Sequence, residues 1–264
     1  MIRLTDDRLQ DVLSYLEEDL PNCLYMYGDI VQYGLNDPNI KVWYAEKEGK
    51  INAVIMQYFQ GSHVFSKDLD YDFDEIYQKL MEIDVDRISS QRAIIEKLHE
   101  KLKDTYDVEY TCVFKLSKYR KMDPRVVIEK ATVKDADAIA ELMVSHELYA
   151  RSYKKEDLAK ELANRIETGI GRSYIIRDGD RIVAHDAVNL ETPTYAVEGL
   201  ALVHDDYRNT LYGAFLDSFM INDLGKEGKE LYCMIVEGRR LDAFVRMGNQ
   251  PLAENGKLFK KTLN

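Results

Sequence analysis

Two spacings of apolar residues alternate along the chain. Residues three and four apart mark helices, and alternation or short apolar runs between turn residues mark strands. The second half shows this most clearly. Residues 126–132 have a strand pattern. Thr132 to Asp135 carries a helix start signal, and Ile139, Leu142, Met143 and His146 then recur at helical spacing. A second amphipathic helix is predicted over 155–168, stopping at Gly169. Two strand patterns flank Asp178-Gly179-Asp180, a hairpin signal because glycine admits the positive φ of tight turns. A strand over 195–203 follows. The helix predicted over 210–224 has Leu211, Phe215, Leu216, Phe219 and Met220 on its apolar face. A strand over 231–236, the helix L-D-A-F-V-R-M-G and a strand around 257–261 close the half. The order β-α-α-β-β-β-α-β-α-β defines a mixed α/β sheet.

The first half gives a weaker version of the same order. Helical patterns cover 5–19 and 22–33, and strands over 42–46 and 51–59 flank Glu48-Gly49-Lys50. A helix over 74–83, a short strand near 87–90, a helix over 93–103 and a strand over 110–116 follow. This reads as an internal duplication of architecture with little residue identity. Coincidence is the alternative, since helix-helix-hairpin orders are common. A basic stretch over 117–125, S-K-Y-R-K-M-D-P-R, separates the halves. Pro124 lacks a backbone donor and biases Asp123 towards an extended conformation, so the stretch reads as a linker. The domains expected are 1–122 and 123–264.

Composition narrows the class. The 264 residues are 45% hydrophobic and 31% charged, which suits a folded globular chain. Acids outnumber bases 47 to 36, for a net charge of −11. That balance argues against a nucleic-acid or membrane partner, because both need a basic footprint. Each half is acidic, at −7 and −4. No apolar run reaches the ~18–20 residues of a membrane span, and the acidic start is no secretory signal. Cys23, Cys112 and Cys233 are far apart, sit among apolar residues and form no metal pair or disulfide framework. A cytoplasmic protein with no bound metal is expected, and a homodimer is compatible with the composition.

The stretch that carries chemistry is V-E-G-L-A-L-V-H-D-D-Y-R-N-T-L-Y-G-A-F-L, residues 197–216. A strand ends, a loop holds Arg208, and an apolar helix begins with Gly213. Amides at a helix N-terminus point free donors outward and the helix dipole adds positive potential, so such a turn holds phosphate. Arg208 adds a charge-assisted contact, and Gly213 lets a ligand approach the backbone. An ordinary strand-to-helix turn with a solvated arginine is the alternative.

The same segment resembles the acetyl-CoA-binding motif of the GNAT superfamily of acyltransferases. That motif is a strand ending in an apolar-Val pair, then H-P-x-Y-R, then x-x-G-x-G/A and a helix. Here Leu202-Val203 precede H-D-D-Y-R and N-T-L-Y-G-A. Asp205 replaces the usual proline, and Leu211 stands where the first loop glycine is common. A-F-V-R-M-G resembles the family's last helix. The resemblance covers essentially 126–264, and the first half resembles the degenerate N-terminal copy of tandem GNAT proteins. It implies two GNAT-like domains, each a mixed, mostly antiparallel twisted sheet flanked by helices. It also implies acetyl transfer from acetyl-CoA to an amine, less readily a hydroxyl, of a small molecule or peptide. Leu202 and Val203 would pair with the pantetheine arm. Arg208 and the amides of Asn209, Thr210, Leu211, Tyr212, Gly213 and Ala214 would cradle the pyrophosphate.

Glu198, on the motif strand, stands where the family often places a carboxylate base; an outward-facing solvated residue is the alternative. His185 and Glu191 would flank the acceptor site, with His185 the secondary candidate for proton transfer. His204 normally caps the turn in this motif, while His63 and His99 give no catalytic signal. The family often uses a tyrosine on the last helix to protonate the departing thiolate. Phe244 stands there and cannot donate a proton, while Tyr212 and Tyr232 read as packing residues. Tyr25, Tyr27 and Tyr33 cluster around Gly28, either lining an acceptor groove or packing the core. Two further readings compete. One is a non-catalytic GNAT-like module that binds CoA or a metabolite. The other is a transferase using an aminoacyl-tRNA donor, which the acidity of both halves disfavours.

Overall fold

The computed structural model describes residues 1–117, 121, 123–150 and 153–261, and the expected linker falls partly outside them. In chain order the elements are β1 (Ile2–Arg3), α1 (Leu9–Glu17), α2 (Leu20–Tyr33), β2 (Ile40–Lys47), β3 (Lys50–Tyr58) and β4 (Gly61–Phe65). Then come α3 (Phe73–Ile83), β5 (Arg87–Gln91), α4 (Arg92–Leu102), β6 (Tyr106–Leu116) and β7 (Ile128–Lys130). Next are α5 (Ala136–Val144), α6 (Glu147–Ala150), α7 (Lys155–Thr168), β8 (Arg172–Asp178), β9 (Arg181–Glu191) and β10 (Tyr195–Val203). The chain closes with α8 (Tyr212–Gly225), β11 (Glu230–Val236), α9 (Arg239–Arg246) and β12 (Ala253–Lys260).

These elements form two compact units. One holds Met1–Phe114 and the described residues from Met234 onward; the other is Lys115–Cys233. In the first unit the strand order is β1-β2-β3-β4-β5-β12-β6. The C-terminal strand β12 thus lies between two strands of the first half, with Lys257 opposite Ser89 on one side and Glu109 on the other. The sequence halves group these residues with the second domain, because a pairing so distant along the chain leaves no local pattern. In the second unit the order is β7-β8-β9-β10-β11.

Each unit has one parallel pair at the same ordinal position. β4 runs parallel to β5 over Gly61, Ser62 and His63, and β10 runs parallel to β11 over Tyr195, Ala196 and Val197. Every other pairing within the units is antiparallel. Each crossover is a helix, α3 in the first case and α8 in the second, as parallel strands require. The repeated element order expected from the sequence is therefore present in the backbone.

Burial follows the two periods. In the first unit, α1 and α2 press Val12, Leu16, Met26 and Ile30 against Val42, Val54, Met56 and Phe65. α3 and α4 cover the other face with Ile76, Leu80, Ile94 and Leu98 over Ile55, Val64 and Leu258. In the second unit, α5 and α7 bring Ile139, Met143, Leu158 and Leu162 onto Ile175, Ile182, Ala187 and Leu200. The Asp135 carboxylate accepts the Thr132 amide at 2.7 Å, so the expected helix start is real. α7 ends where Gly169 takes φ 72°, and the hairpin turn has Gly179 at φ 58°.

Candidate functional site

The site expected from the sequence lies in the second unit, on β9, β10 and the start of α8. β11 leaves β10 early: after Val197 opposite Tyr232, the rest of β10 is in register with β9 alone. Glu198 to Val203 thus has one edge whose backbone groups have no strand partner in the unit. Leu202 and Val203, opposite His185 and Ala184, lie on that stretch.

β10 is also kinked within it. Its register against β9 shifts between Val197 and Glu198 and again between Gly199 and Leu202. Leu200 takes φ 64°, a left-handed conformation that a leucine adopts only when its surroundings impose it. Two contacts do so. A Cβ on Gly199 would sit 1.9 Å from the Asn189 side-chain nitrogen, so Asn189 occupies the space any larger residue needs. The Leu200 carbonyl lies 2.9 Å from His185 Nδ1. A carbonyl only accepts, so Nδ1 carries the proton and Nε2 is the bare nitrogen. Nε2 is buried without a hydrogen-bond partner. Burial pushes His185 down to about 4, so it is neutral at physiological pH.

Glu198 is not solvated. It is buried at 8% exposure on the face covered by α8. It stands opposite Val188, so Asp186, two residues along β9, shares its face. The helix supplies Asp217. The carboxylates of Asp186, Glu198 and Asp217 offer oxygens within 4.8 Å of one another. Asp186 and Asp217 were not singled out from the sequence. The only available signal was an acid inside an otherwise apolar strand, and its meeting with Glu198 depends on strand register.

Glu191 is held in an ion-pair network. It accepts from Arg172 at 2.6 Å and pairs with Lys229, and Arg172 also reaches Glu227 at 2.6 Å and Asp223 at 3.2 Å. Hydrogen bonds from Arg172 and Lys229 pull Glu227 down to about 2. This network ties β8, β9 and the end of α8 together.

The turn from β10 into α8 leaves amides free at the start of the helix. His204 caps a single 3-10 turn over Asp205–Tyr207, its Nδ1 accepting the Asp206 amide at 3.2 Å. Thr210 folds back on the Tyr207 carbonyl at 2.6 Å and accepts the Tyr212 amide at 3.3 Å. Leu211 occupies the cap position of α8 and provides no side-chain cap. The first intrahelical bond is the Phe215 amide to the Leu211 carbonyl, so the amides of Gly213 and Ala214 precede the ladder. The first turn of α8 holds no acid. Gly213 meets only Val203 Cγ2, at an ordinary 3.7 Å. Arg208, in this turn, is engaged, its Nη2 2.7 Å from Asp205 Oδ1. Tyr212 stacks on Tyr207 at 5.8 Å and Tyr232 packs against Tyr195 at 5.8 Å, so both are packing residues.

Phe244 belongs to α9 in the first unit and packs edge-on against Phe114 at 4.9 Å. The three cysteines are buried. Among the described residues, no helix is long and apolar enough to cross a membrane.

No protein-family model matches the chain, and no curated protein sequence does. Solved structures do. A Drosophila protein known from X-ray crystallography matches with a TM-score of 0.70 at 14% identity, over 98% of this chain and 97% of its own. A GNAT-family acetyltransferase from Colwellia psychrerythraea matches at 0.60 and 12%, over 98% of each chain. A tandem GNAT protein from the clavulanic acid biosynthesis pathway matches at 0.58 and 12%, over 100% of this chain and 98% of its own. At these identities the likeness shows the fold. The fold is that of GNAT proteins, along the whole length of chains that include a tandem member.

Proposed function

We propose that the chain is an acyl-CoA-dependent acetyltransferase whose working site is in the second unit. It would act on an amine, less readily a hydroxyl, of a small molecule or peptide in the cytoplasm. The observation that carries this reading is the uncapped N-terminus of α8 at the end of a strand that its parallel partner leaves after three residues. That arrangement offers backbone groups to an extended arm and free amides to a pyrophosphate, as the GNAT fold uses them.

The residues present fit acetyl-CoA. Leu202 and Val203 would hold the pantetheine arm through their backbone. Asn209, Thr210, Leu211, Tyr212, Gly213 and Ala214 would surround the pyrophosphate, and Arg208 would turn from Asp205 to meet it. When bound, acetyl-CoA supplies a thioester-activated acetyl group. Glu198 would take the proton from an incoming ammonium, with Asp186 and Asp217 spreading the charge. His185 would hold the Leu200 kink and so aim the backbone at the reacting carbonyl. Substituting Glu198→Gln should lower thiol release from acetyl-CoA with a panel of primary amines roughly a hundredfold, in the range of general-base losses. Affinity for CoA should stay within about twofold. Unchanged thiol release would remove Glu198 as the base.

A second reading is a GNAT-like module that binds CoA or a metabolite without turnover. Leu211, at the cap of α8 where the GNAT motif usually has glycine, favours it. The two readings share the cradle and differ at Glu198.

A further inference from the structure

The first unit carries no cofactor motif, yet it has a polar cavity where its own parallel pair opens. Register places His63 of β4 opposite Ser89 of β5, and Ser89 opposite Lys257 of β12. These three side chains and Glu109 of β6, which stands opposite Lys257, form one row across the sheet, and Asn255 lies two residues from Lys257 on the same face. α2 covers that face and is kinked within its first turn at Cys23, where φ is −140° and ψ 23°. Cys23 to Met26 line the cavity opposite the strands.

Three observations make this a built site. The lining includes no acidic residue, in a chain of net charge −11. Asn255 is only 8% exposed, and its Oδ1 is buried without a hydrogen-bond partner. Lys257 forms no ion pair among the described residues; burial pulls its pKa down, with Glu109 opposing and Arg87 adding to the shift. His63 cannot share the positive charge, since burial, Arg87 and Lys257 push it down to about 3. The groups facing the cavity therefore include a lysine with no contact ion pair among the described residues, its nearest acid Glu109 outside the cavity lining, with an orphan acceptor and the half-buried Ser89 hydroxyl. The cavity is about 40 Å³. One water needs roughly 10–15 Å³ on that measure, so the space suits a ligand of a few heavy atoms and is far too small for a nucleotide cofactor.

We propose that this cavity is a second binding site, for a small monocarboxylate that bears a neighbouring hydrogen-bond donor. The carboxylate meets Lys257, and the donor, a hydroxyl or ammonium, meets Asn255 Oδ1. A simple carboxylate such as acetate satisfies the first group and leaves the second orphaned, so it binds less tightly.

Titration of the full chain with glycolate, acetate and inorganic phosphate, followed by amide NMR, tests this. Glycolate should give saturable shifts at Cys23 to Met26, His63, Ser89 and Asn255 to Lys257. Acetate should bind several-fold more weakly. Lys257→Gln should weaken glycolate roughly tenfold or more, Lys257→Arg should restore part of it, and Asn255→Leu should make acetate and glycolate equal. Thermal unfolding of each variant checks that it is folded, and the wild-type glycolate-to-acetate ratio stands without any variant. Absence of saturable shifts at roughly 20 mM, well above a 1 mM Kd, overturns the site. Phosphate binding as tightly as glycolate overturns the carboxylate assignment.

Discussion

Arg208, the side chain proposed to meet the pyrophosphate, is already engaged. Its partner Asp205 stands where the GNAT motif usually has proline, and the pair spans one turn at 2.7 Å with both groups about half exposed or more. Exposed pairs of this kind are worth about 0–1 kcal/mol, so a pyrophosphate can displace Asp205 at small cost. Replacing Asp205 by Asn should therefore tighten CoA binding several-fold in calorimetry, by releasing Arg208 and removing a nearby negative charge. Unchanged or weaker binding would show that Asp205 does not compete for Arg208. At His185 the consequence is one of stability. Its folded-state value near 4 lies below the ordinary 6.5, so between those values the unfolded chain binds a proton that the folded chain does not. The contribution of neutral His185 is complete above about pH 6.5 and is lost as pH falls towards 4. It amounts to about 3 kcal/mol at most. Urea unfolding of His185→Gln, which keeps a donor for Leu200 but does not titrate, should vary less between pH 7 and pH 4.5 than wild type. Equal slopes would contradict the burial of His185.

At the scale of elements, the kink in β10 depends on a glycine and an asparagine that share one space. Gly199→Ala puts a methyl group into the Asn189 side chain and should destabilise by about 1–3 kcal/mol, as overpacking does. Asn189→Ala in the same chain should recover most of that loss. Thermal unfolding of the single and double variants measures the coupling, and additive losses would mean the two residues do not share the space. This kink was not legible in the sequence, although β10 was read to its last residue. Periodicity marks which residues alternate, and the tight turns at Gly169 and Gly179 announce themselves through residue type. A bulge held by a cross-strand histidine has no such local mark. The short strand β4 was missed for a related reason: Gly61–Phe65 follows directly on β3 and has no strong turn residue before it beyond Gly61 itself. The strand-to-helix turn at the start of α8 was legible because its parts are contiguous. The Asp186, Glu198 and Asp217 group was not, because three elements bring it together.

For the whole molecule, β12 makes the first unit depend on the end of the chain. It pairs along eight residues of β6 and five of β5. A chain truncated after α9 would leave both strands with open edges, and the first unit should lose resistance to limited proteolysis while the full chain keeps it. Equal resistance would show that the inserted strand is dispensable. The strongly acidic charge sets the terms for the cofactor recognition proposed above. On the proposed function, an anionic cofactor would be met locally, by the amides at the start of α8 and by Arg208, since the protein as a whole repels it. The most direct measurement is a calorimetric titration of acetyl-CoA into the wild-type chain and Arg208→Ala. Binding at one site per chain is expected, weakened in the variant by about 1–2 kcal/mol. That is the charged hydrogen bond less the cost of opening the Asp205 pair. Absence of binding, or equal affinity in the two proteins, would contradict the assignment of this turn as the cofactor cradle.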